Sequence, residues 1–161
     1  MLITDRFTPI LAKQDIKCFK VMVSWMEVFY VCPPAFQNFI NNNIELEGYH
    51  LNTLYETESI DENKDYRING EIWAGFFHTF CDIESAINFI EMINNKLEHP
   101  ENTKHPELYI LPEWAKLVII NARIPQWSLY YEWSYQWTKN QICEKTYASN
   151  KVIYDNILNE N

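Results

Sequence analysis

His78 is the side chain with the most direct catalytic potential. It lies in the apolar segment 71–80 (EIWAGFFHTF), on the same strand face as Phe76 and Phe80. Burial there would tune the imidazole as a general base. The alternative is a core histidine bonded to a backbone carbonyl. The sequence contains no motif for a nucleophilic serine, a phosphate loop, a dinucleotide-binding turn or a zinc protease.

Two His-Pro-Glu tripeptides carry possible metal ligands. His99 and Glu101 belong to the first, and His105 and Glu107 belong to the second. Imidazole and carboxylate groups bind divalent metals, but this spacing matches no established metal signature. A proline-rich surface loop explains the pattern as well, so neither a metal nor a cofactor is predicted.

The segment 56–65 is rich in carboxylates. Its acidic members are Glu56, Glu58, Asp61, Glu62 and Asp65, against the single base Lys64. Such a row could imitate phosphates and occupy a basic groove on a partner protein. The alternative is a solvated loop that keeps the chain soluble.

The segment 128–137 places large aromatic residues on one strand face. Alternation puts Leu129 together with the four aromatic members of the segment, and Glu132 on the opposite face. The aromatic members are Tyr131, Trp133, Tyr135 and Trp137. An exposed face of this kind would bind a partner, whereas a buried one would line the core. The sequence leaves both open.

The elements that must position these groups predict an α+β fold. The pattern is strands, one strong helix at about 83–97, and then more strands, which indicates a mostly antiparallel or mixed sheet with the helix packed on one face. Asp82 is the expected helix N-cap. The 161 residues predict a single domain over 1–161, with 1–16 as a loosely attached N-terminal arm.

Strands are expected at four further places. They are 17–31, with a hairpin in it; 49–56; 116–124, with Val118, Ile120, Ala122 and Ile124 on one face; and 151–158.

Charge and composition limit the partners and the compartment. The net charge of −9 disfavours binding to nucleic acid and favours a protein partner with a basic surface. No apolar run approaches the about 20 residues of a membrane span, and the N-terminus lacks a signal-peptide layout. The four cysteines form no C-x-x-C pair. A cytoplasmic protein, with no membrane association, is therefore expected.

Five short stretches, taken in order, resemble a group of small uncharacterised proteins carried by phages and prophages. They are Cys18 to Val21; Leu54 to Thr57; Gly75 to Phe80 with Ser85-Ala86; Ile124-Pro125 with Tyr130 to Glu132; and Tyr147 to Val152. The resemblance implies a phage-type protein that acts in the host cytoplasm.

Residues 72–93 and 117–125 are also similar in outline to the ADP-ribosyltransferase scaffold. There a strand and a helix bearing alanine precede a strand that ends in Ile-Pro. That resemblance implies transfer of ADP-ribose from NAD to a host target, with a late catalytic glutamate. Glu132 and Glu144 are the candidates, with His78 beside them if the chain is an enzyme.

The favoured hypothesis is an acidic, non-enzymatic protein that binds and inhibits a host protein, for instance a CRISPR nuclease of an antiviral defence system. The alternatives are the ADP-ribosyltransferase-like enzyme and an accessory protein of a virus particle.

Overall fold

The computed structural model describes residues 2–3, 7–25, 29–31, 48–57, 59–68, 71–72, 75–99, 101, 115–135 and 144–158. For residues 2–3, 25, 29–31, 68, 71–72, 133–135 and 144 it describes the backbone only. The elements are β1 (Leu2–Ile3), β2 (Ile10–Leu11), β3 (Ile16–Trp25), β4 (Phe29–Val31), β5 (Leu54–Glu56), β6 (Arg67–Ile68), β7 (Glu71–Ile72), β8 (Phe77–Phe80), α1 (Ile83–Glu98), β9 (Ala115–Ile124), β10 (Leu129–Tyr135), β11 (Glu144–Ser149) and β12 (Lys151–Ile157).

The fold is dominated by an antiparallel sheet. Within the described residues, ten strands form one sheet in the order β1-β10-β11-β8-β3-β9-β12-β5, with β2 also on β10 and β4 also on β3. Every recorded pairing is antiparallel. The predicted α+β class with a mostly antiparallel sheet is confirmed. The mixed-sheet option is not, because no parallel pair occurs among these strands.

The sheet curls on itself at Asn150. This residue joins β11 to β12, yet β11 pairs with β8 and β10, whereas β12 pairs with β9 and β5. The path from β11 through β8, β3 and β9 to β12 therefore returns to the same stretch of chain. A flat sheet cannot close such a path, so the strands coil around an interior.

The concave side of this curl, the inner face, holds the main core. Its fully or almost fully buried members are Cys18, Met22, Ile120, Ala122, Ile124, Val152 and Tyr154. Alternation along β9 produces this face, since Ile120, Ala122 and Ile124 share it. The predicted inward face of segment 116–124 is confirmed, although Val118 is only partly buried there.

The opposite side, the helix face, is covered in part by α1. Asp82 caps the helix, its Oδ1 accepting the Ser85 N–H at 2.8 Å. Ala86 packs on Val21 and Ile119, with Phe89 and Ile90 around them. The predicted helix and its N-cap are confirmed. It is the single α-helix of the described residues.

Two expectations about elements are wrong, and one strand was not predicted. The segment 1–16 is no loose arm, because β1 and β2 both pair with β10 and Ala12 is buried. The segment 71–80 is not one strand: β7 ends at Ile72, and a turn at Gly75 precedes β8. The strand β11 was not predicted, because Glu144 to Ser149 shows no sharp alternation of apolar and polar residues. The predicted hairpin in 17–31 is confirmed as β3 and β4.

Candidate functional site

Tyr131 is an interior anchor and not a partner contact. Its side chain is 0% exposed and packs edge to face on Phe76. Its hydroxyl donates to the Phe7 carbonyl at 3.0 Å and accepts the Tyr66 N–H at 3.2 Å. Ala148, its cross-strand partner on β11, belongs to the same buried cluster. The partner-binding prediction is therefore wrong for Tyr131, because the loop and the N-terminal segment cover its face.

The other aromatic candidates cannot be placed in the same way. Trp133 and Tyr135 lie in β10, where the backbone alone is described, and Trp137 lies outside the described residues.

The acidic segment sits directly above Tyr131. Ile60 and Tyr66 pack on the cluster of Phe76 and Tyr131. The Tyr66 hydroxyl accepts the Asp61 N–H at 2.7 Å, which closes the loop on itself. The loop backbone is thus bound by the buried Tyr131 phenol and the half-buried Tyr66 phenol, while the side chains of Asp61, Glu62 and Asp65 are exposed.

The carboxylates of this segment differ in whether they form ion pairs. Asp61 and Glu62 are exposed and form no recorded ion pair within the described residues. Asp65 is exposed but binds Arg67 at 3.1 Å, and these hydrogen bonds hold the pKa of Asp65 below its usual value. Glu56 lies 3.7 Å from the Lys151 ammonium. Glu58 lies outside the described residues.

The residues nominated for catalysis are not brought together. Glu132 pairs across the strands with Tyr147, and Tyr147 pairs with Thr79, so all three side chains share the inner face of the sheet. His78, next to Thr79, therefore points to the other face. Glu144 begins β11, and its side chain lies outside the described part of the chain.

The environment of His78 favours the neutral imidazole. Burial, together with the nearby Lys20 ammonium, lowers the pKa of His78 to about 4. Lys20 Nζ donates to the backbone carbonyl of His78 at 2.6 Å.

The first His-Pro-Glu tripeptide forms a surface pair. His99 Nδ1 lies 3.3 Å from Glu101 Oε1, and both side chains are more than half exposed. His105 and Glu107 lie outside the described residues. Among the residues that are described, no three side chains of metal-ligand type lie together.

The two described cysteines are adjacent but unreactive. The register Phe19 to Phe80 makes Cys18 and Cys81 the next pair of β3 and β8, both on the inner face. Burial raises the pKa of each thiol to about 12, so neither carries a thiolate at neutral pH. Cys32 and Cys143 lie outside the described residues.

A polar groove opens on the part of the helix face that neither α1 nor the acidic loop, residues 59–68, covers. Its volume is about 370 Å³, and it lies across the ends of β3, β9 and β12. The lining residues are Asp15, Lys17, Asn121, Ala122, Arg123, Asp155 and Asn156.

Arg123 is held at the centre of this groove by two carboxylates. Its Nε donates to Asp155 Oδ1 at 3.1 Å, and its Nη1 donates to Asp15 Oδ2 at 3.4 Å. The hydrogen bonds and charges of Asp155 and Asp15 raise the pKa of Arg123 further. The guanidinium is therefore charged and is held between Asp15, which precedes β3, and Asp155 of β12, the two strands that flank β9.

A β-bulge shapes the floor of the groove. The register between β12 and β9 shifts between Tyr154 and Asn156, which leaves Asp155 as the extra residue. In a regular strand Asp155 and Asn156 would point to opposite faces, but the bulge lets both line the groove. Bulges of this kind are enriched beside functional sites.

Asn121 lines the groove, but its side-chain oxygen is closed off from solvent. Its Oδ1 is buried and has no hydrogen-bond partner in the described structure. An unpaired buried carbonyl oxygen costs about 1–3 kcal/mol.

A rigid turn with an exposed indole borders the groove. Trp127 is 60% exposed and has a φ of 71°, a left-handed value that favours glycine. The backbone N–H of Trp127 donates to the Ala12 carbonyl at 2.7 Å. The preceding Gln126 N–H donates to Asp15 Oδ1 at 2.8 Å, which ties the turn to the groove.

Sequence reasoning did not identify this groove. Alternation along 116–124 puts Asn121 and Arg123 on the face opposite Ile120 and Ala122, but it does not show that Lys17 stands opposite Arg123. The consecutive polar pair Asp155 and Asn156 in an otherwise alternating strand is the feature that could have indicated the bulge.

Comparisons with protein-family models, curated proteins and solved structures find no match. Of the helices in the described ranges, none has both the length and the apolar character needed to cross a bilayer.

Proposed function

We propose that this chain is an acidic protein that binds to a basic surface of a host protein and inhibits that protein. The observation that carries the proposal is the anchored acidic loop, 59–68, whose carboxylates are exposed while its backbone is fixed by Tyr131. A loop that is ordered before binding loses less conformational entropy on association. The net charge of −9 adds long-range attraction to a basic partner.

The exposed Trp127 supplies a second contact of the right kind. Tryptophan is enriched among the residues that dominate binding energy at protein interfaces. The turn that carries it is held by backbone hydrogen bonds to Ala12. The host-inhibitor role itself rests on the resemblance to phage-borne proteins, with a nuclease of an antiviral defence system as the target class.

The test is capture of the partner from host lysate at two salt concentrations, followed by assay of the purified partner. We expect one specific protein to be retained at low salt. Its binding should weaken at high salt, because surface charges are screened over about 10 Å at 0.1 M ionic strength. Adding the chain should then reduce the activity of that partner.

The variant pair Asp61→Asn and Glu62→Gln, combined in one chain, assigns the contact. We expect affinity for the partner to fall roughly threefold to tenfold, since exposed charge pairs contribute about 0.2–1 kcal/mol each. The matched control is Glu91→Gln with Glu98→Gln, which removes the same charge from exposed positions of α1. Absence of a specific partner at either salt, or equal loss in both variants, would refute the proposal.

A further inference from the structure

The groove around Arg123 has the chemistry of a ligand site that is separate from the acidic loop. We infer that it binds a small ligand bearing a carboxylate next to an N–H donor, as a free amino acid or the C-terminal residue of a polypeptide does. The inference does not depend on the proposed inhibitor function, because none of the groove residues belongs to the loop 59–68.

The cationic half of the groove is built from two adjacent strands. Lys17 and Arg123 are direct cross-strand partners, and like charges in that arrangement are destabilising. The carboxylates of Asp15 and Asp155 engage Nε and Nη1 of Arg123. Within the described residues, neither of them contacts Nη2, and no carboxylate pairs with Lys17. A ligand carboxylate can therefore accept hydrogen bonds from Arg123 Nη2 and from the Lys17 ammonium.

The acceptor half consists of the carboxylates of Asp15 and Asp155, which line the groove on either side of Arg123. A carboxylate has about four lone-pair sites, so each keeps acceptor capacity after its bond to Arg123. A single amino-acid unit can therefore place its carboxylate on Arg123 and its N–H on one of these carboxylates.

The charge balance of the groove selects this ligand over a simple anion. Two cations, Lys17 and Arg123, face two carboxylates, Asp15 and Asp155. A doubly charged phosphate would be repelled by the carboxylates, whereas a ligand with one carboxylate and one N–H donor matches both signs. The volume of about 370 Å³ lies near the small end of ligand pockets, which span roughly 300–1,000 Å³.

The experiment is an NMR titration of ¹⁵N-labelled protein with millimolar probes. The probes are L-alanine, L-glutamine, L-leucine and L-phenylalanine, the N-acetyl forms of all four, L-alaninamide and inorganic phosphate. We expect saturable shifts of the Lys17, Asn121, Arg123 and Asn156 amides with at least one carboxylate probe. L-alaninamide and phosphate should cause none. A response to the free amino acids alone identifies a metabolite site, and a response to the N-acetyl forms identifies a polypeptide C-terminus.

Two substitutions locate the binding. Arg123→Gln should weaken the active probe at least tenfold, and Lys17→Gln, at an exposed position, should weaken it severalfold without risk to folding. The matched control is Arg67→Gln, which removes another carboxylate-bound arginine that lies outside the groove. Absence of shifts with every carboxylate probe, an equal response to phosphate, or unchanged binding in both groove variants would overturn the inference.

Discussion

At the scale of single residues, a buried tyrosine hydroxyl holds separate segments of the chain over the sheet. Tyr131 shows this most clearly, because one buried hydroxyl serves two separate segments, the carbonyl of Phe7 and the N–H of Tyr66. Its ring supplies apolar contact area, and its hydroxyl supplies the hydrogen bonds that hold the covering chain in place. An aromatic residue that looked like a binding contact is therefore the support of the acidic loop.

His78 leads to a prediction about pH. Its pKa in the folded state is about 4, below the ordinary value of 6.5, so the native state resists protonation. As pH falls below 6.5 the unfolded chain takes up a proton first, and the free energy of unfolding decreases until about pH 4. The contribution of His78 is full above pH 6.5 and amounts to at most about 3 kcal/mol.

Urea unfolding at a series of pH values measures this effect in the wild type and in His78→Gln. The carboxylates titrate in both proteins, so the difference between the two curves isolates the imidazole. We expect the variant to lose less stability than the wild type between pH 6.5 and pH 4. Parallel curves would show that His78 titrates normally in the folded protein.

At the scale of elements, the turn 125–128 is held by hydrogen bonds within itself and to Ala12. Ser128 N–H and Oγ both donate to the Pro125 carbonyl, and Trp127 N–H donates to Ala12. These bonds hold Trp127 at a φ of 71°, a conformation that costs a non-glycine residue about 1–2 kcal/mol. Such strain at an exposed indole is consistent with retention of the side chain for contact.

Replacing Trp127 by glycine should therefore relieve the backbone strain. We expect the free energy of unfolding of Trp127→Gly to exceed that of Trp127→Ala by about 0.5–1 kcal/mol. Both variants lose the same indole contacts, but alanine keeps the unfavourable φ. Thermal and urea denaturation of the three proteins decide the matter, and a glycine variant no more stable than the alanine variant would contradict the argument.

At the scale of the whole molecule, the closure of the sheet depends on the junction between β11 and β12. Asn150 is 8% exposed, and its Oδ1 accepts the Leu129 N–H at 2.8 Å. Its own N–H donates to the Leu129 carbonyl at 3.0 Å. One side chain thus satisfies the backbone where the two halves of the curled sheet meet.

Asn150→Leu should destabilise the entire fold. It leaves the Leu129 N–H buried without an acceptor, which costs about 1–3 kcal/mol, and each kcal/mol lowers Tm by about 2–4 °C at this size. The control Asn88→Leu makes the same replacement at an exposed position of α1 and should change Tm little. Equal Tm values for both variants would show that the junction contributes nothing beyond its backbone.

The sequence by itself determined the local elements. The cap at Asp82, the helix that follows it and the alternation of β9 all come from residue types at fixed spacing, which is why each was predicted. The net charge of the chain and the cluster of carboxylates at 56–65 also follow directly from the residue types.

Only the tertiary structure decided which faces are covered and which groups meet. Register between distant strands buries Tyr131, separates His78 from Glu132 and places Lys17 opposite Arg123. The bulge at Asp155 then completes the groove. Alternation fixes only that neighbouring residues point to opposite faces; long-range pairing and the segments packed above select which face is buried and which stays open.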